Sequence, residues 1–198
     1  GGDFSFFKTH SANLIINNYN YTNEQTTRGF IYLVRDPRDV AVSWSQHQGY
    51  DLDMTIDFMT NQQSISRTLN SSKDIPINLL RWDQHYKSWT NLNTPHKFIK
   101  YEDLLQNTEN IIQDIFHFFE DNFGLKVNNF NNILKNIISS TNFRTLQNIE
   151  AISGFKEAKK SKFFRKGLMN EWKSTLSNAQ IDRLNKEFKD AMIELGYL

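Results

Sequence analysis

The sequence predicts an α/β fold, a central and mostly parallel sheet flanked by helices, and three observations carry that expectation. The run Gly29 to Val34 (GFIYLV) is apolar, aromatic and β-branched without alternation, the pattern of a strand covered on both faces. Directly after it, Asp36-Pro37 reads as a helix start, with Asp36 as N-cap and Pro37 at the first helical position. Farther on, Lys97 to Tyr101 reads as another strand, again followed by helix-spaced apolar residues. Strands interleaved with helices define a layered α/β architecture.

The elements follow in order. Phe4 to Lys8 is a short aromatic run that predicts an N-terminal strand, and the polar stretch Asn17 to Arg28 predicts a helix end plus loop before the Gly29 to Val34 strand. In the helix opened by Asp36, Val40, Trp44 and His47 share one face. Leu79, Tyr86 and Trp89 indicate another helix. Asn107 or Thr108 caps one that carries Ile111, Ile112, Ile115, Phe118 and Phe119 and ends at Gly124; Phe130, Ile133, Leu134, Ile137 and Ile138 mark the next. At the C-terminus Ser177 and Gln180 form a capping-box pair, Ile181, Leu184, Phe188 and Leu195 make an apolar stripe, and Gly196 ends it. There is no internal repeat.

Composition narrows the function classes. With 198 residues, 38% of them hydrophobic, residues 1–198 are expected to share one core and one domain. A formal net charge of +1 supplies no global field for a nucleic acid or an anionic membrane. The absence of cysteine excludes disulfides and thiolate metal sites. No apolar run reaches the ~20 residues of a membrane span and the N-terminus is not signal-like, so a soluble, cytoplasmic chain is expected. His47, His85, His96 and His117 lack metal-ligand spacing and read as surface or satisfied helix residues. The sequons at Asn20 and Asn70 carry little weight in so asparagine-rich a chain.

In an open α/β sheet, ligands collect at the carboxyl ends of the strands, and the strand ending at Val34 delivers Arg35 there. The guanidinium fork matches a phosphate, and Ser43, two turns into the following helix, offers a hydroxyl toward the same side. The bland alternative is that Arg35 and Arg38 only pair with Asp36 and Asp39 at an exposed helix start. Lys8-Thr9-His10 then brings an ammonium and an imidazole to the same edge, and imidazole is the side chain best suited to accept a proton near neutral pH. Downstream, Lys156, Lys159, Lys160, Lys162, Arg165, Lys166 and Lys173 form a basic cluster, readable either as a solvated face or as an anion site in which Gly167 lets backbone approach a phosphate. Trp82, His85 and Trp89 read first as core and second as the wall of an acceptor cavity.

Five collinear stretches, Lys8-Thr9-His10, RDPRDVAVS, YEDL at Tyr101 to Leu104, TNFRTL at Thr141 to Leu146, and FFRKG followed by NEWK, resemble the sulfotransferases. The match is to the cytosolic type that uses 3′-phosphoadenosine 5′-phosphosulfate, and the fold it implies is P-loop-like. The resemblance implies His10 as catalytic base and Lys8 as a charge stabiliser beside the transferring sulfuryl group. It implies Arg35 and Ser43 as holders of the 3′-phosphate, joined by Arg165, Lys166 and Gly167. Tyr101, Thr141, Asn142 and Phe143 match positions at the adenine end. It also implies adenosine 3′,5′-bisphosphate as product, no metal, and a small-molecule or carbohydrate acceptor with a hydroxyl or amine.

The chain departs from that pattern in two places. No Gly-Lys-Ser or Gly-Thr-Thr opens a phosphate-cradling loop, so an N-terminally incomplete, inactive chain is expected, and NEWK lacks the glycine of the family's GDWK-like turn. Two other classes therefore stay open: a non-catalytic nucleotide-binding module, and a binder of anionic polymers through the Lys156 to Lys173 cluster.

Overall fold

The computed structural model describes residues 5–66, 77–158 and 161–198. Gly1 to Phe4, the Asn70 sequon, Lys159 and Lys160 lie outside the described residues.

A hairpin of β1 (Ile15–Ile16) and β2 (Tyr19–Asn20) precedes β3 (Phe30–Val34). Then come α1 (Pro37–Gln48), α2 (Leu52–Thr60), β4 (Ile65–Ser66) paired with β5 (Ile77–Asn78), α3 (Trp82–Thr90) and β6 (His96–Lys100). The C-terminal part is helical: α4 (Tyr101–Gln106), α5 (Thr108–Phe123), α6 (Phe130–Thr141), α7 (Phe143–Ser153), α8 (Trp172–Thr175), α9 (Asn178–Glu187) and α10 (Lys189–Glu194). Strands β3 and β6 run parallel in a register that pairs Phe30 with His96 and Val34 with Lys100. A Cβ at Gly29 would lie 2.7 Å from the carbonyl oxygen of Pro95 and 2.5 Å from the Phe123 ring, so glycine is what lets β3 start this close to its partner.

The local rules explain most boundaries. The Asp36 side chain accepts from the Arg38 amide at the start of α1, Gly124 ends α5 in a left-handed conformation, and Ser177 and Gln180 form the reciprocal capping box of α9. A core of Ala41, Val42, Ile56, Met59, Leu176, Leu184, Phe188 and Met192 locks α1 and α2 against α9 and α10. Tyr86, Trp89 and Ile99 are buried beside the sheet, and Trp82 packs onto the helical core, so the bland reading of the α3 aromatics holds for both tryptophans.

Three expectations are corrected. Residues 5–8 form no strand, because β3 and β6 bond to each other and no described backbone offers the segment a ladder; Phe7 is 89% exposed. The polar linker after it is not a helix end but the β1–β2 hairpin, turned by Asn17 and Asn18, both at positive φ (50° and 65°). The C-terminal stripe is broken at Phe188, whose backbone leaves the helical region (φ −112°, ψ 16°) between α9 and α10.

Candidate functional site

The parallel register places the residues that follow β3 and β6 side by side at the carboxyl edge. Arg35 follows Val34 and Tyr101 follows Lys100, and the Arg35 guanidinium sits 4.5 Å over the Tyr101 ring. Its Nη2 donates to the carbonyl of Leu168 at 3.0 Å and lies 4.0 Å from the Asp39 carboxylate. Its Nε is buried without a hydrogen-bond partner. Ser43 is exposed on α1.

The other charges of RDPRD are structural. Arg38 is buried, pairs with Asp36 at 2.7 Å, donates to Asn185 and to the Tyr197 carbonyl, and stacks 4.1 Å over Trp172. Asp39, 1% exposed, accepts from the amides of Asn170 at 2.8 Å and Trp172 at 3.0 Å. Thus Arg38 does pair with Asp36, but in the interior rather than at an exposed helix start, and Asp39 holds the NEWK turn onto α1. Asn170 takes φ 60° there, the conformation a glycine would supply most easily. In YEDL it is Glu102, not Asp103, that is engaged: it accepts from the Asp36 amide and from the Tyr197 hydroxyl, whose pKa burial raises.

Helix α7 organises the second half of the site. Asn142 is its N-cap, accepting from the Thr145 amide at 2.9 Å, and the Thr141 hydroxyl donates to the Ile137 carbonyl at 2.7 Å. Buried Glu150 accepts from the amides of Phe163 and Phe164 at 2.6 and 3.0 Å, while Gln147 donates to the carbonyls of Phe164 and Arg165. These straps lay the FFRKG turn on α7, where Gly167, at φ 59°, lies against the Phe143 ring. Arg165 forms a two-pronged pair with Glu171, and the Lys166 ammonium is 2.9 Å from the same carboxylate. The Arg165 pairing first, and Lys166 with it, holds the Glu171 carboxyl below its ordinary range.

A separate group gathers around Lys8 and His10. Lys8 Nζ donates to Glu157 at 2.8 Å, and that bond holds the Glu157 carboxyl below its ordinary range. Partial burial, and then the Lys8 ammonium, lowers the His10 pKa against the opposing pull of Glu157. Glu157 carries no sequence signal that singles it out, and Glu150 and Gln147 look like ordinary helix-surface residues until FFRKG is placed on them. The structure thus joins Arg35, Tyr101, Phe143 and Gly167 into one contiguous surface and puts Lys8 with His10. It commits Arg165 and Lys166 to Glu171, and it gives Thr141 and Asn142 helix-end roles. Among the described residues no His, Asp or Glu group suited to a metal ion is present, and no helix is long and apolar enough to cross a membrane.

Residues 7–196 match the sulfotransferase domain family, and the chain belongs to it. Among curated relatives, sulfotransferase 2A6 of Mus musculus is 26% identical over 172 residues, covering 82% of this chain and 56% of the relative. Sulfotransferase 2A1 of Macaca fascicularis is 28% identical over 174 residues, covering 83% and 56%. The chain therefore spans little more than half the length of these relatives. The fold is similar to that of mouse sulfotransferase SULT7A1 complexed with PAP, with a TM-score of 0.62 at 20% identity over 85% of this chain and 59% of that one. It is also similar to retinol dehydratase in complex with androsterone and inactive cofactor PAP, with a TM-score of 0.59 at 24% identity over 82% and 46%. An α/β fold of the sulfotransferase kind is thereby established.

Proposed function

We propose that this chain binds a 3′-phosphorylated adenosine nucleotide and serves sulfuryl transfer from 3′-phosphoadenosine 5′-phosphosulfate to a hydroxyl or amine of a small molecule. The observation that carries this reading is the environment of Arg35: a guanidinium stacked on Tyr101, with a buried Nε that nothing satisfies, bordered by the Gly167 turn. A buried unpaired donor at the carboxyl edge of a parallel strand is a place where an anion restores a lost hydrogen bond. PAP in the two structural neighbours supports the identity of that anion, and the curated relatives support the reaction class. The bound nucleotide supplies the sulfuryl group.

The chain's own residues have three tasks. Arg35 and the backbone at Gly167 hold the phosphate end, and the ring faces of Tyr101 and Phe143 flank the base. His10 accepts the acceptor proton as the new S–O bond forms and the bond to the departing phosphate breaks, its lowered pKa keeping it neutral and able to do so at pH 7. Lys8 offsets charge on the sulfuryl oxygens once it turns from Glu157. An anionic-polymer reading has less support, since two cations of its cluster, Arg165 and Lys166, are engaged by Glu171.

Calorimetric titration with adenosine 3′,5′-bisphosphate tests the site. Arg35→Ala is expected to weaken binding by about 1.5–3 kcal/mol, the range for hydrogen bonds to charged groups, and to leave adenosine 5′-phosphate nearly unaffected. Equal losses for both ligands would remove Arg35 from the 3′-phosphate.

A further inference from the structure

The segment that bears His10 has no strand ladder to fix it, yet its backbone is held at four consecutive residues. His85 Nε2 donates to the His10 carbonyl at 3.1 Å, and Trp89 Nε1 donates to the Ser11 carbonyl at 3.2 Å. The Ala12 amide donates to the carbonyl of Asn78, beside α3, at 2.8 Å, and the Asn13 amide donates to the Ser88 hydroxyl at 3.0 Å. Three of these four ties come from α3, at positions 85, 88 and 89, the i, i+3, i+4 spacing that puts side chains on one helix face. Helix α3 thus does with side chains what a neighbouring strand would do with its backbone.

His85 is the tie next to the imidazole, and its tautomer is fixed. A carbonyl only accepts, so Nε2 carries the hydrogen toward His10, and Nδ1 is left to accept from the Tyr32 hydroxyl at 2.7 Å. Tyr32 stands on β3, so the relay runs from the sheet through His85 on α3 to the His10 backbone. Burial keeps the Tyr32 hydroxyl protonated and His85 neutral near pH 7, which preserves the donor and acceptor roles.

We propose that His85, oriented by Tyr32 and assisted by Ser88 and Trp89, is a positioning residue that sets where the His10 imidazole stands. This rests on the reading of His10 as the base, and it adds a reason for an imidazole at position 85. The distances require a rigid donor that reaches the carbonyl from one nitrogen while the other is anchored to the sheet. Glutamine retains an amide donor near the Nε2 position; phenylalanine keeps the ring and loses both bonds.

The test follows the His10 imidazole by two-dimensional NMR in wild type, His85→Phe and His85→Gln. The titratable groups that face His10 are Lys8, Glu157 and His85 itself, whose loss is common to both substitutions, and burial is what chiefly lowers the His10 pKa. Releasing the segment in His85→Phe should raise the His10 titration midpoint toward the ordinary 6.5, and His85→Gln should stay near wild type. Amide exchange at Asn13 should quicken in His85→Phe. With an alcohol or phenol acceptor, kcat should fall about 10- to 100-fold in His85→Phe at unchanged nucleotide affinity, the size of a small misplacement, and should fall no further when His85→Phe is added to His10→Ala. Should His85→Phe not fold, Ser88→Ala reads the same shift on a smaller scale. An unmoved His10 titration in both variants overturns the proposal. A moved titration with full turnover in His10→Ala supports the positioning role and instead removes His10 as the base.

Discussion

Replacing Gly167 by alanine tests whether the FFRKG turn is held as firmly as its straps imply. Two costs are expected. A Cβ residue at φ 59° sits in the left-handed region, at roughly 1–2 kcal/mol. The new methyl would also lie 2.5, 2.6 and 3.0 Å from three carbons of the Phe143 ring, an overpacking worth about 1–3 kcal/mol. The turn escapes both only by leaving α7. That would break the two bonds from the Phe163 and Phe164 amides to buried Glu150, each roughly 1.5–3 kcal/mol for a charged acceptor, along with those from Gln147. Detachment therefore costs more than the strain, so the turn stays and the Phe143 ring yields. Gly167→Ala should lower stability by about 2–4 kcal/mol, or roughly 5–15 °C in Tm for a chain of this size. In a Phe143→Leu background the same change should cost only the backbone share, about 1–2 kcal/mol. Thermal unfolding of the four proteins of this cycle decides it. An unchanged Tm in Gly167→Ala, or an equal loss in both backgrounds, would refute the packing of Gly167 on Phe143 as the reason for glycine.

Asp39→Ala should destabilise by about 2–5 kcal/mol in chemical denaturation, because the Asn170 and Trp172 amides lose their acceptor; Asp39→Asn, which keeps one acceptor oxygen, should lose less. Stability should also depend on pH in one direction. His10 and His85 have folded pKa values below 6.5, so the unfolded chain binds more protons and stability falls as pH drops below 6.5 toward those values. Glu157 and Glu171, with folded values below 4.5, withdraw their contributions as pH falls through that range. Tm measured from pH 7.5 down to pH 3.5 should decline in these two stages, and a Tm that rises on acidification to pH 5 would contradict both histidine placements.

What the sequence makes legible is what local chemistry decides. Asp36-Pro37, Ser177 with Gln180, and Gly124 mark helix ends through bonds between near neighbours, and each stands where the pattern puts it. Strand β3 is legible from its unbroken apolar run, yet its expected cover on both faces is not found: Val34 is buried while Leu33 is 53% exposed, and in β6 only Ile99 is buried among flanking lysines. The N-terminal segment is not, since whether Ser5 to Lys8 forms a strand depends on a partner, and the ties of the following residues come mostly from side chains about 75 positions away. The β1–β2 hairpin was hidden because its two turn residues are asparagines in a chain full of them. In the site, Arg35 beside Tyr101 follows from two strands ending together, whereas the engagement of Arg165 and Lys166 by Glu171 depends on how the 165–171 turn folds back on itself.

The acids explain why the motif's cations do not act as one undifferentiated patch. Asp36 takes Arg38, Glu171 takes Arg165 and Lys166, and Glu157 takes Lys8, while Asp39 and Glu150 bind backbone amides and so fix the turn that carries Leu168. Arg35 differs. Its nearest acid, Asp39, is 4.0 Å away with both oxygens already accepting from amides, and its own Nη2 bonds a neutral carbonyl. An aromatic face satisfies charge only partly and offers Nε no lone pair. An anion approaching this edge therefore meets Arg35 without displacing a closely paired carboxylate, whereas binding through Arg165 or Lys166 must first compete with the Glu171 carboxylate that both already engage. On the proposed reading, the order of engagement follows from that difference: Arg35 would make the first contact with a phosphate, and Arg165 and Lys166 would strengthen the site only if the Glu171 carboxylate gave way.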